Sequence, residues 1–482
     1  MKPAATDAAA TASLYEARKK IYPREADGRF QRLRNLAVWV LLGLYYLLPW
    51  VPWDGRQSVL FDLPARKFYV FGLVFWPQDF FYLTWLLIIL GLSLFFFTAL
   101  AGRLWCGYAC PQTVWTEVFL WIERKIEGNR NKRIKLDRSP WSLAKLARKG
   151  TKHAAWVIFA LWTGFTFVGF FTPIHQLTGK VLDFTTGPWE TFWVLFYSFA
   201  TWGNAGFMRE QVCKYMCPYA RFQSAMFDRD TLIIAYDTGR GEPRGARSRS
   251  ADYRSQGLGD CIDCKACVQV CPTGIDIREG LQYECIACAA CIDACDEVMD
   301  KMSYPRGLVR YTSQKALEGG QGHVVRPRMM VYGGLLGALM IGFVVSISLR
   351  TPVGLDVMRD RNALYRTLPD GSIENVYLVR ILNKDTRAHR YLLSATGIPG
   401  LELGAGQQRD EPADEETDEL EHTGHVPRGA GFEIGAGAVF SVPVRLRVPA
   451  GAASGAHDVS FEVVAADAPR LKASRDARFL GP

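Results

Sequence analysis

Cys261-Ile-Asp-Cys264-Lys-Ala-Cys267-Val-Gln-Val-Cys271-Pro272, answered a few residues later by Cys285-Ile-Ala-Cys288-Ala-Ala-Cys291-Ile-Asp-Ala-Cys295, is where the reading of this chain turns. Both runs follow C-x2-C-x2-C-x3-C. Three thiolates from a tight loop wrap one corner of an iron–sulfur cube, and a fourth must come from elsewhere. In two-cluster ferredoxins the fourth cysteine of each run serves the other cluster. The expected ligand sets are therefore Cys261, Cys264, Cys267 and Cys295 for one cluster, and Cys285, Cys288, Cys291 and Cys271 for the other. Zinc is the competing reading, but zinc ribbons pair C-x2-C units rather than triple runs with a fourth cysteine. The pattern predicts two [4Fe–4S] clusters in a ferredoxin-like α+β domain over residues 258–328. Asp296 follows the last ligand where the first run has Pro272, a departure outside the ligand set.

The remaining cysteines form a second pair of matched motifs. Cys106-Gly-Tyr108-Ala-Cys110-Pro111 and Cys213-Lys-Tyr215-Met-Cys217-Pro218 both read C-x-Y-x-C-P. On a helix, residues four apart share a face, so each pair can present two thiolates side by side, with proline favouring a helix boundary just beyond. Two such pairs can build one site of four thiolates, which select Cu(I), zinc or an iron–sulfur centre. Cys106, Cys110, Cys213 and Cys217 are accordingly the candidate catalytic and metal-binding residues, with copper, zinc and a further cluster all open. Buried, inert cysteines are the plainer alternative; that suits one position better than four in matched motifs.

Outward from these motifs the chain is apolar. Segments 35–51, 82–102, 154–174, 189–208 and 329–349 are each apolar over about the ~20 residues a bilayer requires. Lys and Arg alternate from loop to loop: eight precede the first segment, three follow it, twelve follow the second, and Lys180 alone lies between the third and fourth. Positive residues stay on the cytoplasmic side, so the expectation is five spans with a cytoplasmic N-terminus. The cluster segment is then cytoplasmic and the C-terminal domain periplasmic, in a bacterial inner membrane. Net charge is +9 overall. The positive residues flank apolar runs, which argues for membrane topology and against nucleic acid. All twelve cysteines precede residue 296, which excludes a secreted disulfide scaffold.

The first four spans read as an internal repeat of two span pairs, each ending in a C-x-Y-x-C-P motif and an amphipathic stretch (114–126 and 219–227) able to lie along the membrane surface. The expected division is a basic N-terminus (1–34), a four-span domain (35–208), a segment with the second motif and a Gly/Arg/Ser-rich linker (209–257), the cluster domain (258–328), the fifth span (329–349) and an outer domain (350–482). In that last domain, alternating runs at 376–382, 390–394, 440–448 and 459–464 predict a small β-sandwich. Residues 410–421 form an acidic, solvated loop. His175, and His422 with His425, are weaker copper candidates that read better as solvated histidines. Gly333 and Gly337 place a small-x3-small face on the fifth span, which can pack against another helix and leaves room for a homo-oligomer. No nucleotide-binding loop or c-type haem motif occurs. Electrons must come from a donor the sequence does not identify.

With these residues in place, the chain resembles the FixG/RdxA/CcoG family of cytochrome c oxidase accessory proteins. The likeness runs through the five spans, the two C-x3-C-P motifs, Tyr236-Asp237 with Arg240-Gly-Glu-Pro243-Arg244-Gly, the double cysteine run and the C-terminal domain, for which it implies an immunoglobulin-like sandwich. It implies reduction of Cu(II) to Cu(I) during maturation of a cbb3-type oxidase, with the oxidase assembly machinery or copper chaperones as partners. Two alternatives stand beside this cupric reductase reading: a quinol-linked membrane electron-transfer subunit, and a non-enzymatic assembly or redox-sensing protein.

Overall fold

The computed structural model describes residues 20–360, 363–385, 387–405 and 431–482. These fall into two compact units, Met1–Pro52 with Leu86–Leu339, and Trp53–Trp85 with Met340–Pro482. The acidic loop with His422 and His425, and the first nineteen residues, lie outside the described residues.

Helices cover the five apolar segments: Arg29–Leu47, Phe80–Ala101, Leu143–Val168, Pro188–Thr201 and Pro327–Ser348. Among the described residues, three helical stretches are long and apolar enough to cross a membrane: Arg29–Trp50, Pro77–Ala101 and Pro327–Ser348. The other two differ for visible reasons. Leu143–Val168 begins eleven residues before its apolar stretch, and its first turns carry Lys145, Arg148, Lys149 and Lys152. Pro188–Thr201 has only 14 regular residues before the backbone widens into a π-helix at Trp202–Met208.

In the first unit, the helix Pro111–Glu127 follows the first C-x-Y-x-C-P motif and carries the buried carboxylates Glu123 and Glu127 and the half-buried Glu117. Glu123 meets Arg209 at 2.5 Å, Glu127 meets Lys149 and Lys152 at 2.9 Å each, and Glu117 meets Arg34 at 2.8 Å. Buried charges persist only when paired, so these contacts fix the helix against Leu143–Val168 and the N-terminal segment. The cluster domain is wider than the cysteine runs alone suggest. Strand Ile233–Tyr236 pairs antiparallel with Val309–Thr312 and closes the domain from both ends. The expected linker, 238–259, is held on that domain. Arg240 donates to Asp260 at 2.5 Å, and Arg247 donates to Gly259 O at 2.7 Å and Cys261 O at 3.3 Å. Its arginines read as linker composition and act as clamps.

The second unit contains the C-terminal β-sandwich. One sheet runs Glu402–Ala405, Val439–Val448, Ile373–Asn383, Val353–Arg359; the other runs Gly431–Ile434, His389–Thr396, Ala456–Ala465, Lys472–Leu480. All four predicted strands are present, each longer than its alternating run. Every second residue points inward: Tyr377, Val379 and Ile381 on one strand, and Val442, Val444 and Leu446 on the strand paired with it, are all fully buried. A three-stranded sheet, Val59–Asp62, Lys67–Val70 and Leu73–Phe75, belongs to this unit, and Val74 and Trp76 share a core with Leu382. Buried Asp79 pairs with Arg350 at 2.6 Å and Lys384 at 3.0 Å.

On the helix Pro327–Ser348, a Cβ at Gly333 would stand 3.2 Å from the Phe96 ring, whereas one at Gly337 would meet nothing within 4 Å. Only the first glycine of the expected face is in helix contact. His175 packs edge-on against Trp50, ring centroids 5.3 Å apart.

Candidate functional site

The two cysteine runs fold alike. The residues flanking the second cysteine of each run, Asp263 and Lys265 in one and Ala287 and Ala289 in the other, take φ between +52° and +59°. This left-handed region is uncommon for residues with a Cβ. Its recurrence at four equivalent positions curls each loop around a common centre. A helix then carries the third cysteine away: Cys267 lies on Ala266–Gln269 and Cys291 on Ala290–Met302, which also holds Cys295.

One cavity is lined by Cys261, Cys264, Cys267 and Cys295, together with Tyr236 and Arg278. A second is lined by Cys271, Cys285, Cys288 and Cys291, with Cys267 at its edge. Each thus gathers three cysteines of one run and the fourth of the other. Among the described residues, no three Cys, His, Asp or Glu side chains converge on the position of a single metal ion. Four cysteines around each cavity suit a cubane, in which every thiolate binds a different iron, so the donor set fits two [4Fe–4S] clusters. Burial pushes the Cys267 thiol up to about 12, against the pull of Arg278. Burial likewise raises Cys285 and Cys295 to about 12, with Cys288 and Cys267 respectively adding to the effect. Iron loading must displace these protons.

Neighbours without cysteines complete these sites. Tyr236 stands over the first cavity, and its hydroxyl donates to Glu242 at 3.1 Å. A Cβ at Gly241 would fall 2.1 Å from that hydroxyl, so glycine is the residue that fits. Arg278 is held by Asp276 at 2.6 Å and Asp263 at 2.5 Å beside Cys267. Asp293, between the last two cysteines, accepts from the backbone N–H of Gln31 at 2.7 Å and of Phe30 at 3.2 Å, capping the helix Arg29–Leu47. Sequence reasoning missed Asp293, since nothing local links it to a helix more than 250 residues earlier.

The second pair of motifs departs from the expected geometry. Cys106 lies on a one-turn helix, Leu104–Tyr108, but Cys110 caps the next helix, with Pro111 at its first position. Cys213 lies in a π-type turn, Val212–Met216, and Cys217 caps Pro218–Ala225. The two cysteines of a motif therefore do not share one helix face. Proline begins a helix here because its missing N–H is one the first turn leaves unpaired. The four cysteines are nonetheless neighbours. Burial and then the charges of Cys110, Cys106 and Cys217 push Cys213 up to about 12, while Arg103 opposes the shift. The Cys106 thiol donates to Gln223 Oε1 at 3.2 Å. Arg103 and Gln223 were not anticipated, although Arg103 precedes the motif by only three residues.

These cysteines abut the second cluster loop. A Cβ on Gly107 would meet Ile286 O at 2.7 Å and Cys288 Cα at 2.8 Å, so the motif's glycine lets two backbones touch. Cys106 and Cys213 pack on the same buried group of residues as Cys288 and Cys291.

The chain matches the family described as 4Fe–4S dicluster domain over residues 208–314, a 4Fe–4S binding domain over 82–129, and the immunoglobulin-like fold at the C-terminus of FixG over 343–482. It is 44% identical to Protein RdxB of Cereibacter sphaeroides, over 82% of this chain and 85% of that one. It is 40% identical to nitrogen fixation protein FixG of Rhizobium meliloti, over 82% of each. Protein RdxA of C. sphaeroides is 41% identical, over 80% of this chain and 84% of its own.

Proposed function

The chain belongs to the FixG/RdxA family, and from that premise we propose that it reduces Cu(II) to Cu(I) for assembly of a cbb3-type cytochrome oxidase. Its 4Fe–4S domains make it an oxidoreductase of the electron-transfer kind. In this reading it spans a bacterial inner membrane five times, with the cluster domain cytoplasmic and the sandwich periplasmic, where it meets the oxidase assembly machinery or a copper chaperone.

When bound, the two clusters supply single electrons, and Cu(II) accepts one. Cys261, Cys264, Cys267 and Cys295 would hold one, and Cys285, Cys288, Cys291 and Cys271 the other. Cys106, Cys110, Cys213 and Cys217 receive the copper substrate, since thiolates are soft and favour Cu(I) over Cu(II). Burial raises the Cys106, Cys110 and Cys213 thiols, and the charge of Arg103 works against that rise. The observation that supports the reading is the close approach of Gly107 to the loop Ile286–Cys288, with Cys106 and Cys213 packed on the same buried group as Cys288.

The test is the double variant Cys106→Ser with Cys217→Ser, purified anaerobically. It should lose copper binding and slow cupric reduction while retaining about eight iron per chain, as two cubanes require. Unchanged copper binding and reduction would remove the four cysteines from the mechanism. A second reading has its own support: the 4Fe–4S binding match over 82–129 contains Cys106 and Cys110 as its only cysteines. In that case the four hold a further cluster, and the same variant loses about four iron.

A further inference from the structure

The N-terminal segment, the helix Leu143–Val168 and the π-helical end of the fourth apolar segment enclose a cavity of about 420 Å³. Lys149, Lys152, His153, Trp156, Phe207 and Arg209 are among its walls. It lies where apolar helix gives way to charged helix: His153 immediately precedes the apolar stretch 154–174, and Phe207 ends 189–208. The volume is that of a small-molecule site.

The walls favour a neutral ring over an anion. Four cations suggest phosphate at first sight, but they are largely matched: Arg209 pairs with Glu123 at 2.5 Å, Lys149 with Asp137 at 2.5 Å, and Lys152 with Glu127 at 2.9 Å. An entering phosphate would have to compete with these carboxylates. The imidazole of His153, by contrast, is held by rings. It stacks on Phe207 with centroids 5.6 Å apart and meets Trp156 edge-on at 5.1 Å, and its Nδ1 has no hydrogen-bond partner among the described residues. Arg209 and Glu210 also line the adjoining cavity that contains Cys213, Pro272 and Ile286, so one wall separates this space from the redox centres.

We propose that this cavity is where a membrane quinol binds and delivers electrons to the protein. The inference rests on the electron-transfer reading above and supplies its missing donor. The quinol gives up two electrons and the protons of its two O–H bonds and leaves as the quinone. One proton passes to the imidazole of His153 and the other to water at the cavity mouth. The electrons reduce the oxidised iron–sulfur centres and, through them, two Cu(II) to two Cu(I). His153 also orients the ring by accepting a hydrogen bond from its hydroxyl.

The experiment uses the full-length, cluster-loaded protein in detergent without copper, with decylubiquinol and menadiol as probes. Stopped-flow bleaching of cluster absorbance follows reduction, and calorimetry follows decylubiquinone binding. Wild-type protein should be reduced by at least one quinol. His153→Leu should slow this about ten-fold, the worth of one hydrogen bond, and weaken quinone binding, whereas dithionite reduces both proteins equally. His153→Gln, which keeps a hydrogen-bonding group, should recover part of the binding. Failure of both quinols to reduce the wild type would overturn the proposal. So would wild-type behaviour of His153→Leu, or a phospholipid retained in the cavity that decylubiquinone cannot displace. Adding Cu(II) to dithionite-reduced protein tests the copper reading separately, so either can fail alone.

Discussion

Cys271 shows how residues far apart in the chain share one chemistry. It lines a cavity with Cys285, Cys288 and Cys291, although its sequence neighbours serve the other site. Cys271→Ser should therefore destroy the cluster held by the second run and leave the first intact. Electron paramagnetic resonance of the reduced protein reads this directly, and loss of the other signal would reverse the pairing. Arg278 offers a subtler test. Its guanidinium is 6% exposed and lies beside Cys267. A positive charge favours the reduced cluster, so Arg278→Leu should lower the first cluster's potential by on the order of 50 mV, near a tenfold one-electron equilibrium change. The second potential should stay put. The cysteine spacing announced the ligand candidates because iron geometry demands it, but Arg278 is an unremarked arginine until the fold sets it beside a thiol.

At the scale of elements, local rules held wherever the signal was local. Alternation located the sandwich strands, and apolar length located the helices. The C-x3-C-P motifs misled because a four-residue spacing was read as one helical face. The chain instead ends one short helical element and starts another at proline, and the pairs come together across the junction. The helix Arg29–Leu47 begins earlier than its apolar run because Asp293 supplies the cap. Asp293→Ala should cost about 1–2 kcal/mol, a lost cap with two charge-assisted hydrogen bonds. It should lower the thermal midpoint of the purified protein by a few degrees. Asp293→Asn, which can still accept, should restore most of that. An unchanged midpoint in the alanine variant would mean water satisfies the helix end equally well.

At the scale of the whole molecule, the charge alternation and the second unit argue in the same direction. Residues 53–85 fold with the C-terminal sandwich, and Asp79 ties Arg350 to Lys384. The segment after the first apolar helix thus folds in one unit with the last domain, the arrangement that the proposed five spans would need. A reporter active only outside the cytoplasm should work when fused after Pro482 and stay silent when inserted near Gly257; the reverse would invert the topology. By itself the sequence determined the iron–sulfur runs, the paired cysteine motifs, the apolar helices and the strand pattern, because spacing, apolar length and alternation are properties of neighbouring residues. Tertiary structure alone decided that Gly107 meets the loop Ile286–Cys288, that Asp293 caps a distant helix, that the arginine-rich segment clamps the cluster domain, and that His153 lines a cavity with its Nδ1 lacking a hydrogen-bond partner among the described residues. Those contacts join residues tens to hundreds of positions apart, and only packing selects which distant side chains share a wall.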